Sequence, residues 1–504
     1  MNEYILTRVR YYDDGQFTAG SLHIKAGSIA AIYAETDALP PGIRTIDCQH
    51  KVVIPGLVNA HTHSHNILAR GTLGAGSLEV LIGNIDAANK GRTPDEAYAA
   101  AALNAIECLR GGATSVVDMF TTYPLSAEHI DAVGQAYQDV GARALIAAHY
   151  TDLPSYSGLP GFVDSLPRGL RARLGAGLEP NKVDTDILVA SAQKWHNAKE
   201  GLITFGLAPT VPHQCSDDLL RATGEFASEL GVPVHTHLAE SRAETVSSQL
   251  RFSGEFVARL IDFGVLGEGN SAAHSIWLGS KDLKRLAAVQ ATLVHCPASN
   301  LRLGAGVARV PQWERAGVAW AMGSDGAVSA DNLNMFEILR YAALSSRVWT
   351  HDTTQWLSAR QVLEHAFAGA TSTLGSKSDL SGIRVGATAD LTILDARSTY
   401  LSPGIDLVTQ LVFSETGASV CDVIVAGRFI LENGRVTTVD EAAITERVRS
   451  GGHAMVKRNR EHWELAARLR PHYDPVNLRA ANMPWRPDDD SAEEWSRDEL
   501  VLPF

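Results

Sequence analysis

Between residues 53 and about 384 the chain alternates eight times between a short apolar run and helical periodicity, a pattern few folds absorb. The apolar runs lie at 53–60, 114–119, 144–149, 203–208, 232–237, 272–277, 292–295 and 318–323. Helical spacing marks 94–110, 184–198, 217–230, 281–289 and 332–346. The first of these has Pro94 at its start and Gly111-Gly112 at its end, both helix boundary signals. Strands that are apolar on both faces belong in a parallel sheet covered by helices. Eight such units predict an α/β fold, a (β/α)8 TIM-like barrel. A doubly wound open sheet is the structural alternative. No ligand loop marks it: Gly112-Ala113-Thr114 and Gly304-Ala305-Gly306 lack a Lys-Ser/Thr partner and read as turns.

The flanks change period. Residues 1–52 hold β-branched and aromatic runs at 5–12, 21–24 and 28–33, with Asp13-Asp14-Gly15 and Ala26-Gly27 as turns. Residues 385–440 return to strands at 391–394, 420–425, 428–431 and 436–437, punctuated by Ala426-Gly427 and Glu432-Asn433-Gly434. These two blocks are expected to build one small β-sandwich domain from both chain ends, outside the 53–384 barrel. Residues 441–504 read as a charged helix to about 470 and then an extended tail, because Pro471, Pro475, Pro484 and Pro487 interrupt helical spacing. Trp485, Trp495 and Phe504 suggest that this tail docks on another surface.

A chain of 504 residues exceeds what one core usually fills, in keeping with a barrel plus a smaller domain. Its net charge of −13 argues against nucleic acid or an anionic membrane as the main partner. No run approaches the roughly 18 apolar residues of a membrane span. Met1-Asn2-Glu3-Tyr4 does not open a basic and then apolar leader. The five cysteines are scattered and no Cys-x-x-Cys occurs, which predicts free thiols in a reducing cytoplasm. The expected partners are a small-molecule substrate and a second copy of the chain, as a homodimer or higher homo-oligomer.

On a barrel, functional side chains sit at the C-terminal ends of the strands. The first run ends in His61-Thr62-His63, whose i, i+2 spacing puts both imidazoles on one strand face. The fifth ends in His237, followed by Leu238-Ala239-Glu240, and the eighth in Gly323-Ser324-Asp325-Gly326. His61, His63, His237 and Asp325 offer three imidazoles and a carboxylate. That set suits one zinc ion per chain, or ferrous iron as second choice, rather than calcium or magnesium. Such an ion lowers the pKa of bound water from about 15.7 toward about 7. Asp325 is placed to take the proton. Glu240, just past the ligand strand, is placed to pass one to a substrate nitrogen. His274 closes the sixth run, where it holds the metal-bound water, polarises the substrate or packs the barrel. His65, His213 and His295 also follow apolar runs and are expected to face the substrate.

Pro55-Gly56-Leu57-Val58-Asn59-Ala60-His61-Thr62-His63 resembles the first-strand motif of the amidohydrolase superfamily. His237-Leu238-Ala239-Glu240, Ala272-Ala273-His274, His295-Cys296-Pro297-Ala298-Ser299-Asn300 and Gly323-Ser324-Asp325-Gly326 strengthen the resemblance, which covers about residues 1–450. Together they are similar to the mononuclear-metal branch with S-adenosylhomocysteine/adenosine-type deaminases and triazine hydrolases. The resemblance implies one metal held by His61, His63, His237 and Asp325, with Glu240 and His274 acting on substrate. No strand-four lysine suited to bridging two metals is found. The departures lie on the substrate side. Members of the branch carry Ala-Pro-His-Ala-Pro-Tyr after the fourth strand, whereas this chain has Ala208-Pro209-Thr210-Val211-Pro212-His213. His65 is an added histidine in the first loop, and the usual Trp-Leu is missing from residues 77–82. These changes count against a nucleoside and leave the metal chemistry intact.

The expected reaction is hydrolytic deamination of an amino-substituted nitrogen heterocycle, the work of a cyclic amidine deaminase. The same site could instead hydrolyse an amide or a heteroaryl C–Cl or C–N bond. A non-catalytic scaffold descended from such enzymes is the reading from another class, and the complete ligand set argues against it.

Overall fold

A computed structural model of the chain describes residues 3–483 apart from 122, 160, 370, 377 and 381. Among these, five strands open the chain: β1 (Glu3–Asp13), β2 (Gln16–Lys25), β3 (Ser28–Tyr33), β4 (Arg44–Asp47) and β5 (Lys51–Pro55). Eight follow in the middle: β6 (Leu57–Thr62), β7 (Ala113–Phe120), β8 (Arg143–Tyr150), β9 (Ile203–Pro209), β10 (His235–Leu238), β11 (Ser271–His274), β12 (Thr292–His295) and β13 (Ala319–Met322). Four come last: β14 (Leu391–Asp395), β15 (Val420–Val425), β16 (Arg428–Glu432) and β17 (Arg435–Val436).

The middle strands form two parallel sheets, ordered β6-β7-β8-β9 and β10-β11-β12-β13, which gives the α/β class. A bridge between Leu207 and Val234 joins β9 to β10. At the opposite edges the Asp325 amide donates to the His61 carbonyl at 2.9 Å. Val58, Val117, Leu145, Ala273, Val294 and Ala321 form one buried cluster contributed by both sheets. Helices lie between the strands. Pro94–Arg110 starts on a capping box made by Thr93 and Glu96, and Ala127–Val140 stops at Gly141 in the left-handed conformation. No helix among the described residues is long and apolar enough to cross a membrane.

Strands from both chain ends meet in one nine-stranded sheet, ordered β17-β16-β15-β14-β5-β1-β2-β3, with β4 beside β1. The seam is the antiparallel pair β5–β14, with Pro55 opposite Leu391 and Lys51 opposite Asp395. The apolar run 53–60 is therefore two strands rather than one. Residues 53–55 belong to the terminal sheet, and the parallel sheet starts at Leu57. Gly56 makes the break. Its amide donates to the Asp390 carbonyl at 2.9 Å, and a Cβ there would lie 2.2 Å from the Thr114 side chain.

The C-terminal region also differs from expectation. Residues 471–482 are helical, not extended: the helix Arg460–Asn482 carries Pro471 and Pro475 in its interior. Each proline costs a helix about 3 kcal/mol, and burial of Leu469, Tyr473 and Val476 offsets it. Tyr473 stacks on Phe162 with ring centroids 4.5 Å apart, and Asn477 donates to Glu79 Oε2 at 2.7 Å. Pro484, Trp485, Pro487, Trp495 and Phe504 lie outside the described residues.

One buried ion pair ties the parallel strands to the terminal sheet. Arg143, at the start of β8, donates from Nε to Asp390 Oδ2 at 3.0 Å and from Nη2 to Oδ1 at 3.2 Å. Asp390 also accepts the Ala426 amide at 2.7 Å. Arg143 Nη1 donates further to the Gly201 carbonyl at 2.9 Å. Asp390→Ala would leave the guanidinium buried without its carboxylate. It should destabilise the fold by about 3–5 kcal/mol, read as a lower urea midpoint. A loss below about 1 kcal/mol would show that the pair does not hold the two sheets together.

Candidate active site and metal centre

The C-terminal ends of β6, β10, β11 and β13 deliver His61, His63, His237, His274 and Asp325 to one buried place. One ligand atom each from His61, His63 and His237 lies within 4.8 Å of the others. The same holds for Glu240, His274 and Asp325. His63 Nδ1 donates to the Met119 carbonyl at 2.7 Å, and His237 Nδ1 donates to the Thr210 carbonyl at 2.8 Å. A carbonyl can only accept, so both rings carry their proton on Nδ1. Their Nε2 lone pairs then face each other at 3.2 Å. Two acceptors this close repel unless a cation stands between them. Asp325 Oδ1 lies 3.5 Å from His61 Nε2 and 3.3 Å from His63 Nε2. His61 Nε2 is buried with no hydrogen-bond partner. Three imidazole nitrogens and one carboxylate oxygen, aimed inward with second-layer partners behind them, fit a zinc or iron ion.

The local backbone explains how these side chains converge. Ala239, His274, Ser275 and Asp325 all have φ between 49° and 68°, a region that costs non-glycine residues of order 1 kcal/mol or more. Ala239 directly follows β10, His274 and Ser275 span the end of β11, and Asp325 lies three residues past the end of β13. Gly323 allows β13 to approach β6, because a Cβ there would lie 2.7 Å from His61 Cβ. Ser299 Oγ donates to Asp325 Oδ2 at 2.6 Å, and the Gly326 amide donates to Oδ1 at 2.7 Å. Burial raises the Asp325 pKa, but the neighbouring imidazoles of His61, His63 and His274 outweigh it and hold the carboxyl well below its usual range.

Glu240 has the opposite environment. Burial, with Asp325, Glu244 and Glu79 nearby, raises its carboxyl well above the ordinary value. Its Oε1 has no partner, and Oε2 lies 3.5 Å from His274 Nε2, longer than a good hydrogen bond. His274 Nδ1 donates to Asn300 Oδ1 at 2.9 Å, so its Nε2 is a free acceptor in the neutral ring. The loop carrying Glu240 is fixed by Glu244, whose carboxylate accepts the Ala239 amide at 2.8 Å and the Glu240 amide at 2.7 Å. Ser241 caps the same helix start through the Glu244 amide at 3.1 Å.

Of the three further histidines, His65 lies beside the cluster, its ring 5.2 Å from that of His63. His213 lines a neighbouring pocket with Tyr156, Val211, Gln214, Ser241 and Glu244. His295 is not brought to the site. Its neighbours Val294 and Cys296 belong to the inner cluster, so alternation turns its ring the other way, 6.0 Å from Trp313. Sequence reasoning missed His235, whose Nε2 stands 2.7 Å from His61 Nδ1 while its Nδ1 stands 2.7 Å from Ser271 Oγ. The signal was present, since His235 and His237 share the i, i+2 spacing of His61 and His63. His149 was missed too: it ends an apolar run but has no motif around it.

Known proteins are similar to this chain in sequence and in fold. The sequence pattern of the Amidohydrolase family matches residues 52–430. The chain is 31% identical to 5'-deoxyadenosine deaminase of Methanosarcina barkeri over 91% of its own length and 98% of that protein's. It is 33% identical to 5-methylthioadenosine/S-adenosylhomocysteine deaminase of Moorella thermoacetica over 81% of this chain and 89% of that protein. Among solved structures, an adenosine deaminase from Xanthomonas campestris with bound zinc superposes with a TM-score of 0.79 at 25% identity, covering 90% of this chain and 99% of that one. An atrazine chlorohydrolase from Arthrobacter aurescens TC1 complexed with zinc has the same fold, with a TM-score of 0.78 at 22% identity over 89% and 100% of the two chains.

Two outcomes are expected. Zinc-replete protein should contain about one zinc per chain by elemental analysis, and His237→Ala should lose it. Two tightly held metals, or full zinc in the variant, would contradict the ligand geometry. Acid should also destabilise the fold. Burial lowers the pKa of His61, His213 and His295 to about 3, against about 6.5 for an exposed imidazole. The unfolded chain therefore binds more protons between these values. The stability is fully present above about pH 6.5 and is lost as pH falls toward 3. Urea midpoints at pH 7.5 and pH 5 should show the drop; equal midpoints would contradict it.

Proposed function

The chain belongs to the amidohydrolase family, and on that footing we propose that it is a metal-dependent hydrolase that deaminates an amino-substituted nitrogen heterocycle, specifically an adenosine derivative. The facing Nε2 atoms of His63 and His237 carry this reading, because they call for a cation beside a raised carboxyl and a lowered one. The relatives named as deaminases of 5'-deoxyadenosine and 5-methylthioadenosine/S-adenosylhomocysteine support the substrate class. They weigh more than the departures at Thr210 and His213, which had counted against a nucleoside.

The ligands are assigned as His61, His63, His237 and Asp325. A divalent metal held by them supplies an activated water near neutral pH. The chain's own groups then move the protons. Asp325, ionised, takes the proton of the attacking water as its oxygen bonds to the amino-bearing carbon. Glu240, protonated, donates to the ring nitrogen next to that carbon. In the collapse, Asp325 returns its proton to the leaving ammonia, and Glu240 recovers one from the new hydroxyl. The products are the ring lactam and ammonia. His274, neutral with Nε2 free, accepts a hydrogen bond at the reacting centre. His65 and His213 are assigned to the substrate side.

The same reading extends to the scaffold. We take the eight parallel strands to close as a (β/α)8 barrel over residues 57–384, supported by the Leu207–Val234 bridge and the Asp325–His61 contact at the two junctions. We take residues 1–55 and 385–440 as a small β-sandwich. Its two ends approach where the Ile29 amide donates to the Ala387 carbonyl and the Ala389 amide to the Gly27 carbonyl.

The test is ammonia release by the zinc-loaded protein from adenosine, 5'-deoxyadenosine and 5-methylthioadenosine. At least one should be deaminated. Glu240→Gln should keep zinc and lose at least about 10²-fold in kcat. Failure to release ammonia from any of the three would overturn the substrate class, and near-normal turnover by Glu240→Gln would overturn the proton route.

A further inference from the structure

His149 lies at the C-terminal end of β8, the third parallel strand, and no step above uses it. Its ring centroid is 6.2 Å from that of His237. Both ring nitrogens are sealed from solvent, and neither has a hydrogen-bond partner. Ala147, two residues earlier on the same strand face, clusters with Met119 and Ala208. His149 pairs in register with Ala208 of β9. Small side chains thus lie under and beside the imidazole, and none can hydrogen-bond to it. Buried polar groups are rarely left without partners, and a neutral imidazole has one donor and one acceptor to satisfy.

The strand order places this ring relative to the reaction. Glu240 follows β10 and His274 ends β11, while His149 lies near the end of β8 on the other side of His237. A heterocycle whose reacting carbon faces Glu240 and His274 turns its far edge toward β8. We infer that His149 is a substrate-binding residue whose imidazole hydrogen-bonds a ring nitrogen on that far edge. This rests on the deaminase reading and narrows it. A fused bicyclic ring of the purine type carries such nitrogens beyond its amidine. His149 is thus a specificity determinant on a strand where the sequence shows no motif.

The experiment uses the zinc-loaded full chain and its His149→Ala and His149→Gln variants. The probes are adenosine, 3-deazaadenosine and 7-deazaadenosine, in each of which one ring nitrogen beyond the amidine is kept or replaced by CH. The readouts are kcat and KM, inhibition constants for any analogue that is not turned over, and zinc content. The unsubstituted protein should favour adenosine over one of the two analogues by roughly tenfold. His149→Ala should lose roughly tenfold on adenosine, mostly in KM, and nothing further on that analogue, with zinc retained. His149→Gln, which keeps a donor and an acceptor, should recover part of the loss. An unchanged preference in both variants overturns the inference, as does loss of zinc in either, since His149 would then serve the metal. If the unsubstituted protein deaminates a heterocycle but binds no purine, the nucleoside reading falls and this inference with it. If it binds adenosine and its analogues equally, the inference alone falls.

Discussion

Two lone pairs that face each other across 3.2 Å in a buried site are unfavourable without a cation between them. Much of the site serves to impose that arrangement. The carbonyls of Met119 and Thr210 hold the outer nitrogens of His63 and His237, so neither ring can swap its tautomer and relieve the contact. Those carbonyls come from β7 and from the residue after β9, so the strand order itself fixes the chemistry of both imidazoles. Around this pair, one carboxyl is held below its ordinary pKa and another is raised above it, within a few ångströms. Environment rather than residue type sets the two roles: Asp325 accepts hydrogen bonds from Ser299 and Gly326, whereas Oε1 of Glu240 has no partner.

Much of the site was legible in the sequence because its residues obey simple periodicities. His61 and His63 sit two apart at the end of a run, His237 and His274 lie at the ends of buried strands, and Asp325 follows one. Where legibility failed, the cause was geometric. His295 also follows an apolar strand, but it lies one residue out of phase with the inner face, and no rule of spacing tells inward from outward before a strand's register is known. His235 and His149 lie on the correct faces, yet their partners are remote in sequence. Glu244 reads as an ordinary helix-start carboxylate, and its hold on the Ala239 and Glu240 amides depends on the left-handed turn at Ala239.

The scaffold was read less evenly. The alternation of apolar runs and helical spacing reports the parallel sheets directly. The boundary near residue 56 was blurred because two different sheets use consecutive apolar residues, and hydrophobicity does not record which neighbour a strand pairs with. The helix through Pro471 and Pro475 was hidden for a different reason. Local propensity argues against it, and the burial of Leu469, Tyr473 and Val476 prevails only in the folded molecule.

The seam between β5 and β14 bears on how this chain is made. During synthesis β5 emerges more than 330 residues before its partner, since Pro55 pairs with Leu391. Until then one edge of the N-terminal strands is a bare row of amides and carbonyls, able to recruit any passing extended segment. The parallel strands are meanwhile complete in sequence but lack the Asp390 carboxylate that neutralises Arg143. Residues 390–436 thus act as a latch on residues 3–55. A ribosome that stalls before residue 391 releases a chain with its candidate metal ligands already present and an open strand edge, a state suited to chaperone capture and prone to aggregation.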